Sequence, residues 1–187
     1  MDFQFFEGEH IQLAAPDADR DAEIESKWTH DPDYLRLLSA DPAKPLSPSQ
    51  VKKRYEEAEK EAEKSRDTFN FAIRLREGDR LIGFIRVFDI LWTHGSGRLQ
   101  LGIGDPADRG RGYGREALNL ILRYAFDELN LHRLSAMTFE YNTTALNFLQ
   151  RAGFTIEVRR RQAVNRDGRR WDVVVLGLLR DEWKRDA

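Results

Sequence analysis

Residues 99–115 read Leu-Gln-Leu-Gly-Ile-Gly-Asp-Pro-Ala-Asp-Arg-Gly-Arg-Gly-Tyr-Gly-Arg, and they combine a strand pattern with a glycine-rich turn. Apolar and polar residues alternate over 99–103, which is the period of a half-buried strand. Asp105-Pro106 ends that strand, and a glycine-rich turn then leads into a helix. The apolar residues of the helix recur at the spacing i, i+3, i+4, and they are Leu118, Ile121, Leu122, Ala125, Phe126 and Leu129.

The glycine-rich turn predicts an anion-binding site at the start of this helix. The first four N–H groups of a helix lack partners within it, and the helix dipole places positive charge there. Glycines let a phosphate approach the backbone closely, and Arg109, Arg111 and Arg115 add charges that pair with phosphate oxygens. The alternative is a flexible loop with solvated arginines. The turn lacks the last glycine of a dinucleotide fingerprint and the Gly-Lys-Ser/Thr of a P-loop.

Two motifs together resemble one family. Arg109-Gly110-Arg111-Gly112-Tyr113-Gly114 is similar to the coenzyme A loop of the GNAT family of N-acetyltransferases, whose pattern is Gln/Arg-x-x-Gly-x-Gly/Ala. Asn142-x-x-Ala145 and a helix ending at Ala152-Gly153-Phe154 then resemble a second family motif, in the same order. The likeness covers about two-thirds of the chain, and it is greatest to the branch that acetylates ribosomal-protein N-termini.

The order of elements predicts a mixed α/β sheet with helices on both faces. The pattern indicates a strand near Ile11 and Leu13, helical segments within 17–38 and after 47, strands at 69–75, 81–88, 99–103 and 134–139, helices after 112 and 142, and a final hairpin of 156–164 and 171–179. Strand 81–88 is nearly all apolar and is expected to be central, and residues 92–97 are expected to form a loop. The resemblance implies the acyl-CoA N-acyltransferase (GNAT) fold: a mixed, mostly antiparallel sheet with a splayed central strand pair.

Composition narrows the possible classes of protein. A chain of 187 residues suits one domain, predicted over 1–187, and 41% hydrophobic with 33% charged residues is typical of a globular protein. The net charge of −2 disfavours nucleic acid as a partner, and no apolar run is long enough for a membrane span. Without cysteine, the chain has no disulfide, no cysteine metal site and no cysteine nucleophile. We expect a cytoplasmic protein with no secretory signal and no metal.

The resemblance implies an enzyme that transfers acetyl from acetyl-CoA directly to a primary amine through a ternary complex. The acceptor would be a peptide N-terminus or a small amine, and a homodimer is expected from the relatives. The residues expected to bind acetyl-CoA are Leu101, Ile103, Gly104, Arg109, Gly110, Arg111, Gly112, Tyr113, Gly114, Arg115, Asn142, Asn147 and Arg151. Asn142 could also cap the helix that follows it.

The chain departs from the family at two catalytic positions. Many members have a tyrosine four residues after the alanine of the second motif and a glutamate on the strand before the coenzyme loop. This chain has Leu149 and Gln100 at those positions. We therefore predict Tyr141 as the acid for the coenzyme thiolate, with Glu140 and His94 as candidate bases. The alternative to a catalytic role is that Tyr141 is a core residue, Glu140 a solvated carboxylate and His94 an exposed loop residue.

These departures leave two other functions open. One is an acetyl-CoA-binding domain that has lost catalysis and acts as a sensor. The other, which the loop alone supports, is a nucleotide-binding enzyme.

Overall fold

The computed structural model describes residues 4–184 of the chain, so the ends of the predicted domain at 1–3 and 185–187 lie outside the described residues. Its strands are β1 (Ile11–Ala14), β2 (Phe69–Leu75), β3 (Leu81–Leu91), β4 (Ser96–Ile103), β5 (Arg133–Phe139), β6 (Thr155–Arg166) and β7 (Arg169–Leu179). They form one sheet of order β1-β2-β3-β4-β5-β7-β6. Neighbouring strands are antiparallel except β4 and β5, which confirms a mixed, mostly antiparallel sheet.

Helices cover both faces of the sheet, as the element order predicts. They are α1 (Ala18–Trp28), α2 (Pro32–Leu38), α3 (Pro48–Ser65), α4 (Tyr113–Arg123) and α5 (Thr143–Arg151). The main core joins the sheet to α4 and α5 and contains the buried helix residues Leu118, Ile121 and Leu149. On the other face, Trp28 and Tyr34 of α1 and α2 pack with sheet residues in a smaller core.

Local sequence explains where the helices begin. Asp17 caps α1 by accepting from the N–H groups of Asp19 and Arg20. Ser47 and Gln50 form the predicted capping box of α3: the Ser47 N–H donates to Gln50 at 2.9 Å, and the Gln50 N–H donates back at 3.3 Å.

The parallel pair β4 and β5 separates part of the way along. The two strands pair only from Ser96 to Leu99 of β4, although β4 stays paired with β3 as far as Ile103. Over the same stretch β5 remains paired with β7 as far as Phe139. A gap therefore opens between the two central strands, which confirms the splayed pair.

Three local predictions need correction. Residues 92–97 are not simply a loop: β3 runs to Leu91, a 3-10 turn spans Trp92–His94, and β4 begins at Ser96. The final hairpin strands extend to a two-residue turn of Asp167 and Gly168, whose positive φ angles of 53° and 71° suit a tight hairpin. The helix stripe predicted to end at 129 does lie in the core, but the helix widens into a π turn at Tyr124–Glu128.

Gly104, directly after β4, gives a test of this packing. A Cβ at Gly104 would lie 2.0 Å from Cδ2 of the buried Trp28, so Gly104→Ala should displace the indole and lower the free energy of unfolding by about 1–3 kcal/mol. Gly114→Ala is the matched control, since the nearest atom outside its own helix, Cδ2 of Leu101, would be 3.8 Å from the added Cβ. Urea titrations of both variants measure the difference, and equal stabilities would contradict this packing.

Candidate active site

The gap between β4 and β5 exposes backbone groups of β4. Gly104 donates its N–H to the carbonyl oxygen of Ile82 in β3 at 2.9 Å. Because the direction of the backbone N–H and C=O groups alternates along a strand, those of the residues two and four positions before Gly104 also point towards β3. The N–H and carbonyl groups of Leu101 and Ile103 therefore point into the gap. Both residues were predicted from sequence to bind coenzyme, and the structure places them side by side with α4, since a Cβ at Gly114 would lie 3.8–3.9 Å from their side chains.

The glycine-rich turn carries a run of free donors next to this gap. Gly110 and Gly112 have positive φ angles of 75° and 91°, which favour glycine. Gly112 occupies the N-cap position of α4 and supplies no side-chain cap. Within residues 4–184, the consecutive N–H groups from Gly110 to Gly114 donate to no protein acceptor. Such a run at a helix N-terminus is suited to a phosphate group.

Two arginines hold the ends of this turn in place. The Arg109 guanidinium donates to the carbonyl oxygens of Ile103 at 3.1 Å and Gly104 at 2.6 Å, which fastens the turn to the end of β4. Arg80 donates through both terminal nitrogens to the Asp108 carboxylate at 2.7 and 2.8 Å. The hydrogen bonds from Arg80 hold the pKa of Asp108 below its ordinary value.

The remaining predicted cations and amides are available to a ligand. Arg111 and Arg115 are exposed, and neither forms an ion pair within the described residues. On α5, Asn142 accepts from the Ala145 N–H at 3.1 Å, so its capping role is confirmed. Asn147 and Arg151 are exposed on the same helix.

Tyr141 and Glu140 lie where β5 ends, beside the gap. The Tyr141 hydroxyl donates to the carbonyl of Arg36 at 2.7 Å, and its ring stacks on Phe139 with centroids 5.1 Å apart. The Glu140 carboxylate accepts from the Asp172 N–H at 3.2 Å and lies 3.7 Å from Arg159. Both side chains are therefore partly engaged, and Tyr141 also ties α2 to the sheet.

The structure does not bring His94 to this place. His94 is exposed and ends the turn just before β4 begins, whereas the gap lies at the other end of β4. From Ser96 to Ile103 the strand is about 23 Å long at roughly 3.3 Å per residue. Leu101, Ile103, Glu140 and Tyr141 border the gap, and His94 lies outside that group.

A cavity of about 1000 Å³ lies on the sheet face that carries α1, α2 and α3. Phe84, Arg86 and Gln100 line it from the sheet, and Gln100 is the first β4 residue beyond the last pair with β5. The cavity therefore reaches the gap at Gln100. The apolar stripe of α3 also faces it, so Val51 is buried while Tyr55, Ala58 and Ala62 line the cavity.

Sequence reasoning missed the polar groups inside this cavity. Arg86 donates to the side-chain oxygen of Gln100 at 2.9 Å through Nε, and the Tyr55 hydroxyl donates to Glu25 at 2.5 Å. Tyr34 is only 4% exposed, yet its hydroxyl has no hydrogen-bond partner. One signal was present in the sequence, because Arg86 is the only charged residue in the apolar run 81–88.

Two kinds of feature are absent from residues 4–184. In that part of the chain, no three His, Asp or Glu side chains are grouped so as to hold a metal ion. Nor does any helix there have the length and hydropathy to cross a membrane.

Comparison with known proteins connects this geometry to one family. Residues 10–155 match the family model described as acetyltransferase (GNAT) domain. The chain is 36% identical over 132 residues to the probable N-acetyltransferase YjcK of Bacillus subtilis (strain 168). The aligned region covers 68% of this chain and 70% of YjcK.

Solved structures share the fold over nearly the whole chain. The spermidine N-acetyltransferase of Vibrio cholerae, in complex with CoA and spermine, has a TM-score of 0.78 at 22% identity and covers 92% of this chain and 96% of its own. The ribosomal-protein-S5-alanine acetyltransferase of Vibrio fischeri has a TM-score of 0.77 at 22% identity, covering 96% and 98%. At these identities the likeness concerns the fold.

The pair Arg80–Asp108 predicts a pH-dependent contribution to stability. Because the folded-state pKa of Asp108 is lowered, the stabilisation is present above the unfolded pKa near 3.8 and disappears as the pH falls through the folded value. Asp108→Asn should lower the free energy of unfolding at pH 7 by about 2 kcal/mol, because hydrogen bonds to charged groups are worth about 1.5–3 kcal/mol.

Urea titrations at pH 7 and in the acid range measure this contribution. The difference in the free energy of unfolding between wild type and Asp108→Asn should disappear in acid. Asp89→Asn, in the exposed pair with Arg98, is the control and should change stability little at either pH. A pH-independent loss in Asp108→Asn would count against the ionic origin.

Proposed function

Because this chain belongs to the acetyltransferase (GNAT) domain family of acetyl-CoA-dependent N-acetyltransferases, we propose that it acetylates a primary amine by direct attack within a ternary complex. The observation that carries the proposal is the opening between β4 and β5 beside the free N–H groups of Gly110 to Gly114. One ligand with an extended arm and a pyrophosphate fits both features. The cavity that meets the gap at Gln100 leaves room for the amine.

The coenzyme would be held mainly by backbone donors. The N–H groups of the turn would bind the pyrophosphate, with Arg111 and Arg115 supplying charge. The exposed edge at Leu101 and Ile103 would bind the arm as a neighbouring strand does. Arg109 acts as a positioning residue in this proposal, because its guanidinium is already bonded to the strand end.

Other predicted contacts complete this proposed coenzyme site. Gly104 and Tyr113 would border the arm and the turn. The unused amide N–H₂ of Asn142 would donate to the arm, and Asn147 and Arg151 would lie towards the adenosine phosphates.

Acetyl-CoA supplies the acetyl thioester: a bond forms between the amine nitrogen and the acyl carbon, and the carbon–sulfur bond breaks. The N–H groups of Leu101 and Ile103 would donate to the carbonyl oxygen as its charge increases. Tyr141 would give its proton to the leaving thiolate. Glu140, at the same strand end, is the proposed acceptor of the amine proton.

A catalytically inactive acetyl-CoA sensor is the second candidate. Leu149 is 7% exposed and carries no proton donor, and Gln100 holds an amide where many relatives have a carboxylate. A sensor needs the coenzyme site but neither acid nor base.

Thiol release from acetyl-CoA distinguishes the two candidates. The purified chain, which has no cysteine to react with the reporter, is offered polyamines, aminoglycosides, amino acids and N-terminal peptides. We expect one class of amine to stimulate release. Absence of release across the panel, with acetyl-CoA still raising the melting temperature, would instead favour the sensor.

Replacing Tyr141 by phenylalanine tests the proposed acid. General acid catalysis is typically worth about 10²–10⁴-fold, so Tyr141→Phe should lower kcat about 100-fold while the KM for acetyl-CoA changes little. The lost bond to Arg36 should lower stability by only about 1 kcal/mol.

Tyr124→Phe is the matched control, because Tyr124 packs among Phe69 and Phe71 away from the gap. It should leave kcat unchanged. An unchanged kcat in folded Tyr141→Phe would exclude Tyr141 as the acid.

A further inference from the structure

The sheet presents a cation to the cavity. Asn70 of β2, Arg86 of β3 and Gln100 of β4 are direct cross-strand partners, and all three line the cavity. Arg86 is half-buried in this row. Its guanidinium also lies 4.5 Å from the centre of the Phe88 ring. The guanidinium is therefore fixed at the bottom of the cavity, next to the gap between β4 and β5.

Among the described residues, no carboxylate pairs with this charge. Arg86 donates through Nε and one terminal nitrogen to a single neutral acceptor, the amide oxygen of Gln100. Within residues 4–184 it forms no ion pair, and the nearby Asp89 is paired with Arg98 at 2.7 Å. A partly buried cation without an anion is unfavourable, and a ligand anion would relieve it. Burial is also the main cause that lowers the pKa of Arg86. The charge of Asp89 raises this pKa, and the charges of Arg54 and Arg98 lower it further.

The carboxylate deepest in the cavity is already neutralised. Glu25, with a side chain 12% exposed, accepts from the Tyr55 hydroxyl at 2.5 Å and lies 3.8 Å from Arg54. The other acidic residues that line the cavity belong to its solvent-exposed rim, and they are Asp41, Glu57, Glu59 and Glu63.

Tyr34 contributes a buried hydroxyl to the wall of the cavity. The Tyr34 side chain lines the cavity, and its buried hydroxyl has no hydrogen-bond partner in the part of the chain that the structure describes. Burial, together with the charge of Glu25, raises the pKa of this hydroxyl, so it stays protonated and able to donate. The inner cavity thus offers a cation to an anionic group, among the apolar side chains of Leu35, Leu38 and Phe84.

We propose that the acceptor is a primary amine that also carries a carboxylate, which Arg86 binds while the amino group faces the gap at Gln100. This inference rests on the proposed acetyl transfer and names its substrate class. An amino acid with a large apolar side chain would place its carboxylate at Arg86 and its side chain among Leu35, Leu38 and Phe84. A polyamine has no anionic group, and its ammonium groups would meet the Arg86 cation.

Matched pairs of acceptors test the carboxylate requirement. Thiol release is measured with phenylalanine, with phenethylamine, which is the same amine without the carboxylate, and with spermidine. We expect kcat/KM for phenylalanine to exceed that for phenethylamine at least tenfold. Peptide amides that begin with aspartate carry a carboxylate only on the side chain, so they distinguish a peptide N-terminus from a free amino acid. Faster transfer to phenethylamine or spermidine would overturn the proposal and leave acetyl transfer intact.

Variants assign the effect to Arg86. Arg86→Gln should lower kcat/KM for phenylalanine at least tenfold and leave that for phenethylamine within about threefold, and Arg86→Lys should retain part of the preference. Arg98→Gln is the control, because Arg98 contacts the same Phe88 ring at 4.9 Å but does not line the cavity. An unchanged preference in folded Arg86→Gln would overturn the role of Arg86.

A binding measurement separates failure of this inference from failure of the proposed function. If no amine stimulates thiol release, acetyl transfer to these amines is contradicted. Calorimetry with N-acetylphenylalanine and coenzyme A then still decides the inference. Binding to wild type that is lost in Arg86→Gln would support a carboxylate site, and equal or absent binding would overturn it.

Discussion

The end of pairing between β4 and β5 at Leu99 is the constraint on which the rest of the site depends. Two parallel strands that separate leave backbone donors and acceptors without partners, and such groups must be satisfied by side chains, water or ligand. Arg109 satisfies the carbonyls of Ile103 and Gly104 at the far end. The N–H groups of Leu101 and Ile103 and the carbonyl of Leu101 face the gap and remain accessible to a bound molecule. The same separation lets the cavity under α1–α3 reach the gap at Gln100.

Arginines with similar sequence surroundings have different physical roles here. Arg80 and Arg109 are used within the protein, since their hydrogen bonds fix the segment between β4 and α4. Arg111 and Arg115 lie exposed at the helix start and remain available. Arg86 is held at the bottom of the cavity by one amide and one ring. Only the arginines that already have fixed partners can hold the turn rigid, and this rigidity keeps the donor groups in place before a ligand arrives.

Much of the fold could be predicted, because local periodicity and capping are encoded within a few residues. The alternation in 99–103, the helical stripe from Leu118 and the capping box at Ser47 all correspond to elements of the structure. The predictions were wrong where pairing between distant segments sets the bounds of a strand. The start of β4 at Ser96 depends on its pairing with Arg133, and the long hairpin strands depend on β7. No local pattern marks how far two distant segments remain paired.

By itself the sequence determined the elements, their order and the chemistry of the glycine-rich turn, because glycine spacing and apolar periodicity act within one helix or strand. The tertiary structure decided which groups meet. It separated His94 from Tyr141 by the length of β4 and turned Arg109 onto the strand end. Among residues 4–184, it left Arg86 without an anionic partner and the Tyr34 hydroxyl without an acceptor. Burial and partner choice depend on residues far apart in the chain, and only the folded sheet brings Asn70, Arg86 and Gln100 into one row.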